Sequence, residues 1–257
     1  MKIREGTRVL VTAGASGIGR RIAAAFLGQG AGVHVCDVSG ERAEDLLREL
    51  PGVGFTRADV AVPADIERVF ADLAVHLGGL DVLINNAGIA GPTAPVEEVS
   101  PEDWSRTLEV NITGQFLCAR LAVPLLKEAG GGSIINLSSV AGRLGYPMRT
   151  PYAASKWAVV GFTQSLAMEL GPHGIRVNAL LPGMVEGDRI RSVIAAKAAA
   201  IQKTYEELEA EHFRQVSLRR MVKPDEIANM ALFLCSEAGA AITGQALSVC
   251  GNVERML

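Results

Sequence analysis

Cysteine and histidine are scarce in this chain, and neither is clustered. Four cysteines and four histidines occur among 257 residues, at Cys36, Cys118, Cys235 and Cys250 and at His34, His76, His173 and His212. No two cysteines have the Cys-x-x-Cys spacing of zinc or redox motifs, and the histidines form no group typical of metal ligands. We therefore expect buried cysteine side chains in a reducing compartment and no bound metal.

Long apolar runs and an excess of charge of one sign are also absent. The net charge is −3, and no basic run is long enough to follow a phosphate backbone, so nucleic-acid binding is not expected. No segment offers the roughly 20 uncharged apolar residues of a membrane helix, and the initial MKIREG lacks the apolar stretch of a secretory signal. We expect a cytoplasmic protein without a membrane partner. The composition, 49% apolar and 21% charged, is typical of a globular chain.

Short β-rich runs alternate with longer helical patterns along the chain. Strands are expected at residues 7–11, 32–36, 53–56, 82–85, 133–137, 176–180 and 246–249. Helices are expected at residues 19–29, 41–50, 63–77, 101–129, 152–170 and 225–235. Several strand segments are almost continuously apolar, as in parallel sheets that are covered on both faces. This order predicts an α/β fold, a doubly wound parallel β-sheet of the Rossmann type with helices on both faces.

No proline- or serine-rich linker, repeat or low-complexity segment divides the chain. Residues 1–257 are therefore expected to form a single dinucleotide-binding and catalytic domain. One stretch differs, because residues 187–221 are charged and helix-prone and fall between two predicted strands. We interpret residues 184–222, with approximate bounds, as an insertion that covers the substrate. The alternative is a pair of solvated surface helices.

A glycine-rich turn follows the first predicted strand. Residues 12–19 read Thr-Ala-Gly-Ala-Ser-Gly-Ile-Gly, and a helical pattern begins there. Glycines at such a junction let the backbone approach a pyrophosphate, whose charge is met by N–H groups at the helix N-terminus. The position of the turn, between a first strand and an amphipathic helix, indicates a dinucleotide site.

The second predicted strand is followed by Asp37, which lies 18 residues beyond Gly19. A carboxylate there can accept hydrogen bonds from both hydroxyls of the adenosine ribose and repels a 2′-phosphate, which favours NAD over NADP. Arg42 is nearby, but we expect its side chain to point to solvent. The alternative for Asp37 is a plain N-terminal cap of the next helix.

Further segments complete a pattern that resembles the short-chain dehydrogenase/reductase family over almost the whole chain. In order after the glycine-rich turn they are Asp59-Val60, Asn85-Asn86-Ala87-Gly88, Asn111, Ser139, Tyr152-x-x-x-Lys156 and Pro182-Gly183. The resemblance implies an oxidoreductase in which Asp59 contacts the adenine ring and Val60 packs near it. It also implies that Pro182 and Gly183 flank the nicotinamide, and that Asn85 and its neighbours support the central sheet.

The turn, Asp37 and the resemblance together indicate NAD as the cofactor. The residues expected to bind it are Thr12, Gly14, Ser16, Gly17, Ile18, Gly19, Asp37, Asp59, Val60, Asn86, Ala87, Gly88, Tyr152, Lys156, Pro182, Gly183 and Val185.

Three positions depart from the family's pattern. Ala13 stands where the family usually has glycine, which is acceptable if the backbone there has a negative φ. After Pro182-Gly183 the chain continues with Met184, without the threonine that often binds the carboxamide. Cys250 occupies a place where aspartate is common.

Four residues are expected to carry the chemistry, namely Asn111, Ser139, Tyr152 and Lys156. Tyr152 and Lys156 project from one face of a predicted helix, where the ammonium and an oxidised nicotinamide ring favour the phenolate that removes a hydroxyl proton. Ser139 follows a strand whose carboxyl end borders the ligand crevice, so its hydroxyl can orient and polarise the substrate oxygen; Ser138 is the alternative. By resemblance, Lys156 also binds the nicotinamide ribose, and Asn111 holds a water that links Lys156 to solvent.

We interpret the chain as an NAD-dependent oxidoreductase that interconverts a secondary alcohol and a ketone or aldehyde on a small polar substrate. The alternatives are an NADPH-dependent reductase of 3-oxoacyl thioesters and, in another class, a sensor or scaffold that binds NAD without turnover. Arginines near the expected pocket either hold an anionic substrate or are surface residues paired with Glu186 or Asp188; they are Arg143, Arg149, Arg189 and Arg191. The resemblance also implies a homotetramer formed through the helices of residues 101–129 and 152–170.

Overall fold

The chain folds around a parallel sheet that is covered by helices on both faces. The structure, a computed structural model, describes residues 2–256. Its strands are β1 Arg8–Thr12, β2 Gly32–Asp37, β3 Gly54–Arg57, β4 Val82–Asn85, β5 Gly132–Leu137, β6 Ile175–Pro182 and β7 Ala246–Val249. They are ordered β3-β2-β1-β4-β5-β6-β7, and every neighbouring pair is parallel. The predicted doubly wound α/β fold is confirmed.

Both faces of the central strands are apolar, which explains their uninterrupted apolar sequences. In β1, Val9 and Val11 pack into one core and Leu10 packs into the other. In β4, Ile84 belongs to the first core and Leu83 to the second. Because side chains alternate along a strand, each strand needs apolar residues at consecutive positions to fill both layers.

The helices divide between the two faces of the sheet. They are α1 Gly17–Leu27, α2 Gly40–Glu49, α3 Pro63–Leu77, α4 Pro101–Leu108, α5 Gly114–Glu128, α6 Thr150–Leu170, α7 Asp188–Ala200, α8 Tyr205–Arg214 and α9 Pro224–Cys235. Helices α1 and α9 contribute Phe26 and Ile227 to the core on one face. Helices α3, α5 and α6 contribute Leu73, Leu126 and Leu170 to the core on the other face.

The largest difference from the sequence-based prediction concerns residues 101–129. Instead of one helix, the chain forms α4, then a π-helical turn at Glu109–Thr113, and then α5. Most other elements differ from their predicted bounds by one or two residues at an end, which is the usual uncertainty of helix and strand termini. The expectation of buried cysteines holds for Cys36 and Cys118, whereas Cys235 and Cys250 are only half-buried.

Helices α7 and α8 form the segment that the sequence marks as different. Their apolar residues Ile194, Ala198 and Leu208 form a small cluster apart from the two main cores. Lys197 of α7 donates a hydrogen bond to the carbonyl of Pro147, which lies shortly before α6 (3.1 Å). The helix pair is therefore attached to the segment between β5 and α6, close to the N-terminus of α6. Within residues 2–256, no helix is long and apolar enough to cross a membrane.

Candidate active site

The glycine-rich turn lies between β1 and α1, at the point where the strand order reverses. Strand β1 has β2 on one side and β4 on the other, so the carboxyl ends of these strands open a crevice. The hydroxyl of Thr12 accepts hydrogen bonds from the backbone N–H groups of Asn86 (3.0 Å) and Ala87 (2.9 Å). The amide of Asn86 donates in return to the carbonyls of Thr12 (3.0 Å) and Ala13 (3.1 Å). Thr12 and Asn86 thereby hold the turn against the end of β4.

The three glycines of the turn are needed for different physical reasons. A Cβ on Gly14 would lie 2.7 Å from the side chain of Val35. A Cβ on Gly19 would lie 2.2 Å from the carbonyl oxygen of Ala13, where real Cβ atoms are not found. Gly17 has a φ of +52°, in the left-handed region that favours glycine. The turn is therefore a narrow backbone cradle that no side chain fills.

The N-terminus of α1 opens into this cradle without neutralisation from the protein. Ser16 occupies the N-cap position, yet its side chain accepts no hydrogen bond from the first turn. The first turn also contains no acidic residue. Backbone N–H groups at such an end attract an anion, and the cradle lets a pyrophosphate approach them closely. The residues present, which include Ile18 at the start of α1, therefore fit a dinucleotide.

Asp37 ends β2 beside the same turn and is almost fully buried. Its carboxylate accepts hydrogen bonds from the backbone N–H groups of Ala15 and Ser39, both at 3.1 Å. The cap of α2 is Ser39, whose hydroxyl accepts from the N–H of Arg42, so the alternative role of Asp37 as that cap is wrong. Arg42 is exposed but does not simply point to solvent, because its guanidinium donates to the hydroxyl of Ser16 (3.3 Å).

Asp59 and Val60 follow β3 and lie beside the same crevice. One carboxylate oxygen of Asp59 accepts from the N–H of Ala61 (3.0 Å), and the other accepts from the guanidinium of Arg106 (2.6 Å). Val60 is buried against Gly114, where a Cβ would lie 2.8 Å from Cγ2 of the valine. Val60 therefore packs directly against the first residue of α5, and Asp59 is anchored to α4.

Asn111 lies within the π-helical turn and is completely buried. Its side-chain oxygen accepts from the N–H of Ile89 (2.7 Å), and its amide donates to the carbonyl of Ile89 (3.1 Å) and to the hydroxyl of Ser155 (3.0 Å). A Cβ on Gly88 would lie 3.1 Å from the Asn111 oxygen and 3.3 Å from Nζ of Lys156. The bare backbone of Gly88 thus separates the asparagine from the lysine.

Tyr152 and Lys156 lie on the first two turns of α6, and the lysine is buried. Nζ of Lys156 is 5.7 Å from the centre of the Tyr152 ring and donates to the carbonyl of Leu137 at the end of β5 (2.8 Å). Burial, together with the smaller effect of the positive charge of Arg189, lowers the pKa of Lys156 to about 7. No described residue forms a hydrogen bond with the Tyr152 hydroxyl, which leaves it available to a ligand.

The two serines after β5 have different hydrogen-bond partners. The hydroxyl of Ser138 donates to the backbone carbonyl of Lys156 (2.7 Å). The hydroxyl of Ser139 accepts from the N–H of Ala141 (3.2 Å), so its own proton remains available. Ser138 therefore holds α6 in place, whereas Ser139 can donate to a ligand.

Strand β6 ends at Pro182, and the next residues pair with the C-terminal part of the chain. The N–H of Gly183 donates to the carbonyl of Val249 (3.1 Å). A Cβ on Gly183 would lie 2.9 Å from Cα and Cβ of Cys250, so the cysteine packs directly against this glycine. Val185 forms a parallel bridge with Val222, which joins the start of the α7–α8 segment to its end.

Known proteins resemble this chain along nearly its full length. A family model described as enoyl-(acyl carrier protein) reductase matches residues 12–252. An uncharacterised oxidoreductase of Thermotoga maritima is 37% identical over 253 residues, which covers 96% of this chain and 97% of that protein. The 3-oxoacyl-[acyl-carrier-protein] reductase of the same organism is 36% identical, and the match covers 97% of this chain and 98% of that protein.

The fold agrees equally well with a solved structure. A tryptophan variant of actinorhodin polyketide ketoreductase, crystallised with NADPH, has a TM-score of 0.93 at 35% identity and covers 99% of each chain. The chain belongs to the short-chain dehydrogenase/reductase family. This short-chain dehydrogenase/reductase contains, among its described residues, no group of three or more histidine, cysteine, aspartate or glutamate side chains that could hold a metal ion.

At Ala13 the backbone of this short-chain dehydrogenase/reductase differs from the sequence-based expectation. The expectation required a negative φ, but the backbone adopts a φ of +49°. An L-residue in this region brings its Cβ close to the following carbonyl and costs about 1–2 kcal/mol. The hydrogen bonds that hold the turn compensate for this strain.

We expect Ala13→Gly to raise the free energy of unfolding of the ligand-free enzyme by roughly 0.5–1 kcal/mol, because strain is relieved at the cost of some unfolded-chain entropy. Urea denaturation followed by circular dichroism measures it. Gly17→Ala is the matched reverse change, since Gly17 has a positive φ and open space around its Cβ position, and it should destabilise. A less stable Ala13→Gly variant would contradict the assignment.

The four arginines of the expected pocket occupy different environments. Arg191 is an exposed partner of Asp188, exposed Arg143 donates to the carbonyl of Ala246, and Arg189 is also exposed. Arg149, in contrast, is 2% exposed, so its interpretation as a surface residue paired with Glu186 or Asp188 is wrong. Its guanidinium carbon lies 5.3 Å from the centre of the Tyr152 ring. The three-residue spacing from Tyr152 along the chain was the only sequence signal of this proximity.

Proposed function

We propose that this protein is an NAD-dependent oxidoreductase that interconverts a secondary alcohol and a ketone or aldehyde on a small polar substrate. The observation that carries the proposal is the setting of Tyr152. Its ring lies 5.7 Å from the ammonium of Lys156 and 5.3 Å from the guanidinium of Arg149, and no described residue binds its hydroxyl. A phenol with cationic neighbours and a free hydroxyl is suited to proton transfer.

Tyr152 acts as the acid–base group in this proposal. In the oxidative direction its phenolate takes the proton of the substrate hydroxyl, and in the reductive direction its hydroxyl returns that proton to the carbonyl oxygen. The positive charges of Lys156 and Arg149 stabilise the negative charge that develops on the Tyr152 oxygen during proton transfer. A bound nicotinamide would supply the hydride acceptor for the carbinol carbon in oxidation, and the hydride donor in reduction.

Ser139 and Asn111 have supporting roles. The free proton of Ser139 donates to the substrate oxygen and polarises it, which stabilises developing negative charge. Asn111 is a positioning residue, because its amide joins Ile89 to Ser155 on α6, one residue before Lys156. The cradle of residues 12–19 would hold the cofactor, Asp37 would bind its adenosine ribose, and Gly183 would adjoin its nicotinamide.

A dehydrogenase screen tests the proposed function. The protein is incubated with NAD⁺ and sugar alcohols, hydroxy acids and cyclic alcohols, and the absorbance of reduced nicotinamide is followed. We expect oxidation of at least one secondary alcohol. Cofactor binding without oxidation of any alcohol, and without reduction of the corresponding ketones, would instead support the non-catalytic sensor.

The preference for NAD rests on Asp37. We expect kcat/KM for NADH to exceed that for NADPH by roughly 10- to 100-fold, because the carboxylate repels a 2′-phosphate. In Asp37→Ser this ratio should fall at least about tenfold. Asp45→Ser, which removes an exposed carboxylate from the middle of α2, is the matched control and should leave the ratio unchanged. A wild-type preference for NADPH would contradict the proposal.

A second candidate, an NADPH-dependent reductase of 3-oxoacyl thioesters, is favoured by one specific contact. Arg42 reaches Ser16 beside the adenosine side of the crevice and could pair with a 2′-phosphate. A related protein is named as a reductase of this kind, and the similar ketoreductase was crystallised with NADPH. If this candidate is correct, Arg42→Ala will weaken NADPH use at least about tenfold and leave NADH use unchanged.

We also infer that four copies associate through α4, α5 and α6. Large apolar side chains are exposed on these helices, and they are Trp104, Phe116, Trp157 and Met168. An exposed apolar surface of this kind is typical of a contact between subunits. Light scattering should give four times the mass of one chain. The mass of a single chain at micromolar concentration would contradict the inference.

A further inference from the structure

Arg149 is a buried cation with most of its hydrogen-bonding capacity unused. Among the described residues it is the largest side chain that is completely buried. One guanidinium nitrogen, Nη2, donates to the carbonyl of Ala90 (2.6 Å). The other two, Nε and Nη1, have no partner. A guanidinium has five N–H donors, so at least three remain unpaired in an environment that excludes water.

The charges around Arg149 increase this imbalance. No described carboxylate forms an ion pair with it, whereas Arg189 adds further positive charge nearby. Lys197 and Arg149 both lie over the ring of Tyr146, at 4.7 Å and 5.3 Å from its centre. Burial lowers the pKa of Arg149, although Tyr146 and Tyr152 act in the opposite direction. Ring faces compensate a cation only partly, and an unpaired buried charge is strongly unfavourable.

The position of Arg149 connects this imbalance to the reaction. It is the N-cap residue of α6, and it lies against the ring of Tyr152. The neighbouring hydroxyl of Thr150 is also buried and without a partner. Lys197 of α7 lies over the Tyr146 ring and donates a hydrogen bond to the carbonyl of Pro147. Unsatisfied polar groups are therefore concentrated beside the phenol, beneath the α7–α8 segment.

We propose that Arg149 binds the carboxylate of the substrate, which is a short hydroxy acid or the corresponding oxo acid. The proposal rests on the proposed function, because it assigns the substrate of the same site. A carboxylate pairs with a guanidinium through two parallel hydrogen bonds and brings the single negative charge that this cation lacks. Since Arg149 touches the Tyr152 ring, the carboxylate and the reacting hydroxyl must be only a few bonds apart. Because Nε and Nη1 are buried in the ligand-free protein, segment 184–222 must move aside for the acid to enter and would then cover it.

A substrate analogue that cannot be oxidised separates binding from turnover. 3-Hydroxy-3-methylbutyrate is a tertiary alcohol with no hydride to give, and its amide is the neutral equivalent. We expect calorimetry on the NAD⁺-bound enzyme to show at least about tenfold tighter binding of the acid than of the amide. Arg149→Met should weaken binding of the acid by about ten- to a hundredfold and change binding of the amide little.

Two further variants and a stability measurement complete the test. Arg149→Lys keeps the charge but loses the planar fork, so its affinity should be intermediate. Arg48→Met removes an exposed arginine from α2, which among the described residues contacts Asp45 and the carbonyl of Glu44, and should behave as wild type. The melting temperature of ligand-free Arg149→Met should equal or exceed that of wild type, because an uncompensated charge has been removed.

The outcomes distinguish this inference from the proposed function. Equal affinity for acid and amide, equal weakening of both by Arg149→Met, or tighter binding of inorganic phosphate than of the acid would overturn the role of Arg149. Oxidation of neutral alcohols with no preference for hydroxy acids would overturn it as well and leave the proposed function intact. Arginine-dependent binding of the acid, with no turnover of any alcohol or ketone, would overturn the proposed function instead.

Discussion

Tyr152→Phe is expected to lower kcat/KM for alcohol oxidation by roughly 10²- to 10⁴-fold, the contribution of a positioned acid–base group. The substitution removes only the hydroxyl oxygen, and the ring keeps its place near Lys156 and Arg149. No described residue binds that hydroxyl, so its removal leaves no buried group without a partner. The loss should therefore appear in turnover and not in folding. Steady-state kinetics with the best alcohol of the screen measures it.

Two controls make this prediction specific. The dissociation constant for NADH, from fluorescence titration, should stay within about threefold of wild type, because the cradle of residues 12–19 is untouched. Tyr205→Phe is the matched variant, since it removes the same atom from a tyrosine on α8 that bonds only Glu209, and it should retain activity. If the Tyr152→Phe enzyme keeps turnover within tenfold of wild type, Tyr152 is not the acid–base group.

Lys156→Met is expected to have opposite effects on activity and stability. Activity should fall by about 100-fold or more, because the positive charge that stabilises the transition state beside Tyr152 is lost. Stability of the ligand-free protein at neutral pH should increase, because a buried charge is removed. The carbonyl of Leu137 keeps a second donor, the amide of Gln115 (3.2 Å), and is not left without a partner.

The pKa of Lys156 determines how its contribution to protein stability changes with pH. Folding lowers the pKa of Lys156 from 10.5 to about 7, so the unfolded chain binds the proton more tightly. The resulting penalty is fully present below about pH 7, diminishes as the pH rises, and vanishes above the unfolded value of 10.5. Wild-type stability should therefore gain from this group between pH 7 and pH 9, whereas Lys156→Met should lack that gain. Urea denaturation at both pH values measures the difference, and a less stable variant at pH 7 would contradict it.

Loss of activity with a gain in stability distinguishes a functional residue from a structural one. Asn136, for example, is buried and hydrogen-bonded to Asn85 and Thr163, so its loss should reduce stability. Lys156 and Arg149 are instead buried at a cost that only a ligand offsets. The site therefore suits a charged ligand, and without that ligand the buried charges lower the stability of the protein.

Local patterns in the sequence determined the fold and the centre of the site. Consecutive apolar residues within short segments predict strands that are buried on both faces, and their alternation with helices leads to the parallel order now observed. The four-residue spacing of Tyr152 and Lys156 places both on one helix face regardless of the rest of the chain. The glycine-rich turn is likewise defined by neighbours along the sequence. Such features depend on periodicity and chain geometry, which short windows contain.

Contacts between distant segments decided the remainder. The π-helical turn at Asn111 accompanies its hydrogen bonds to Ile89, 22 residues earlier, and the positive φ of Ala13 accompanies bonds to Asn86, 73 residues later. The different partners of Ser138 and Ser139 appear only once α6 is packed against β5. Arg149 looks in the sequence like any surface arginine, and only its contact with Ala90, 59 residues away, shows that it is buried. Burial and hydrogen-bond partnership are properties of the packed chain, because they depend on which distant atoms exclude water.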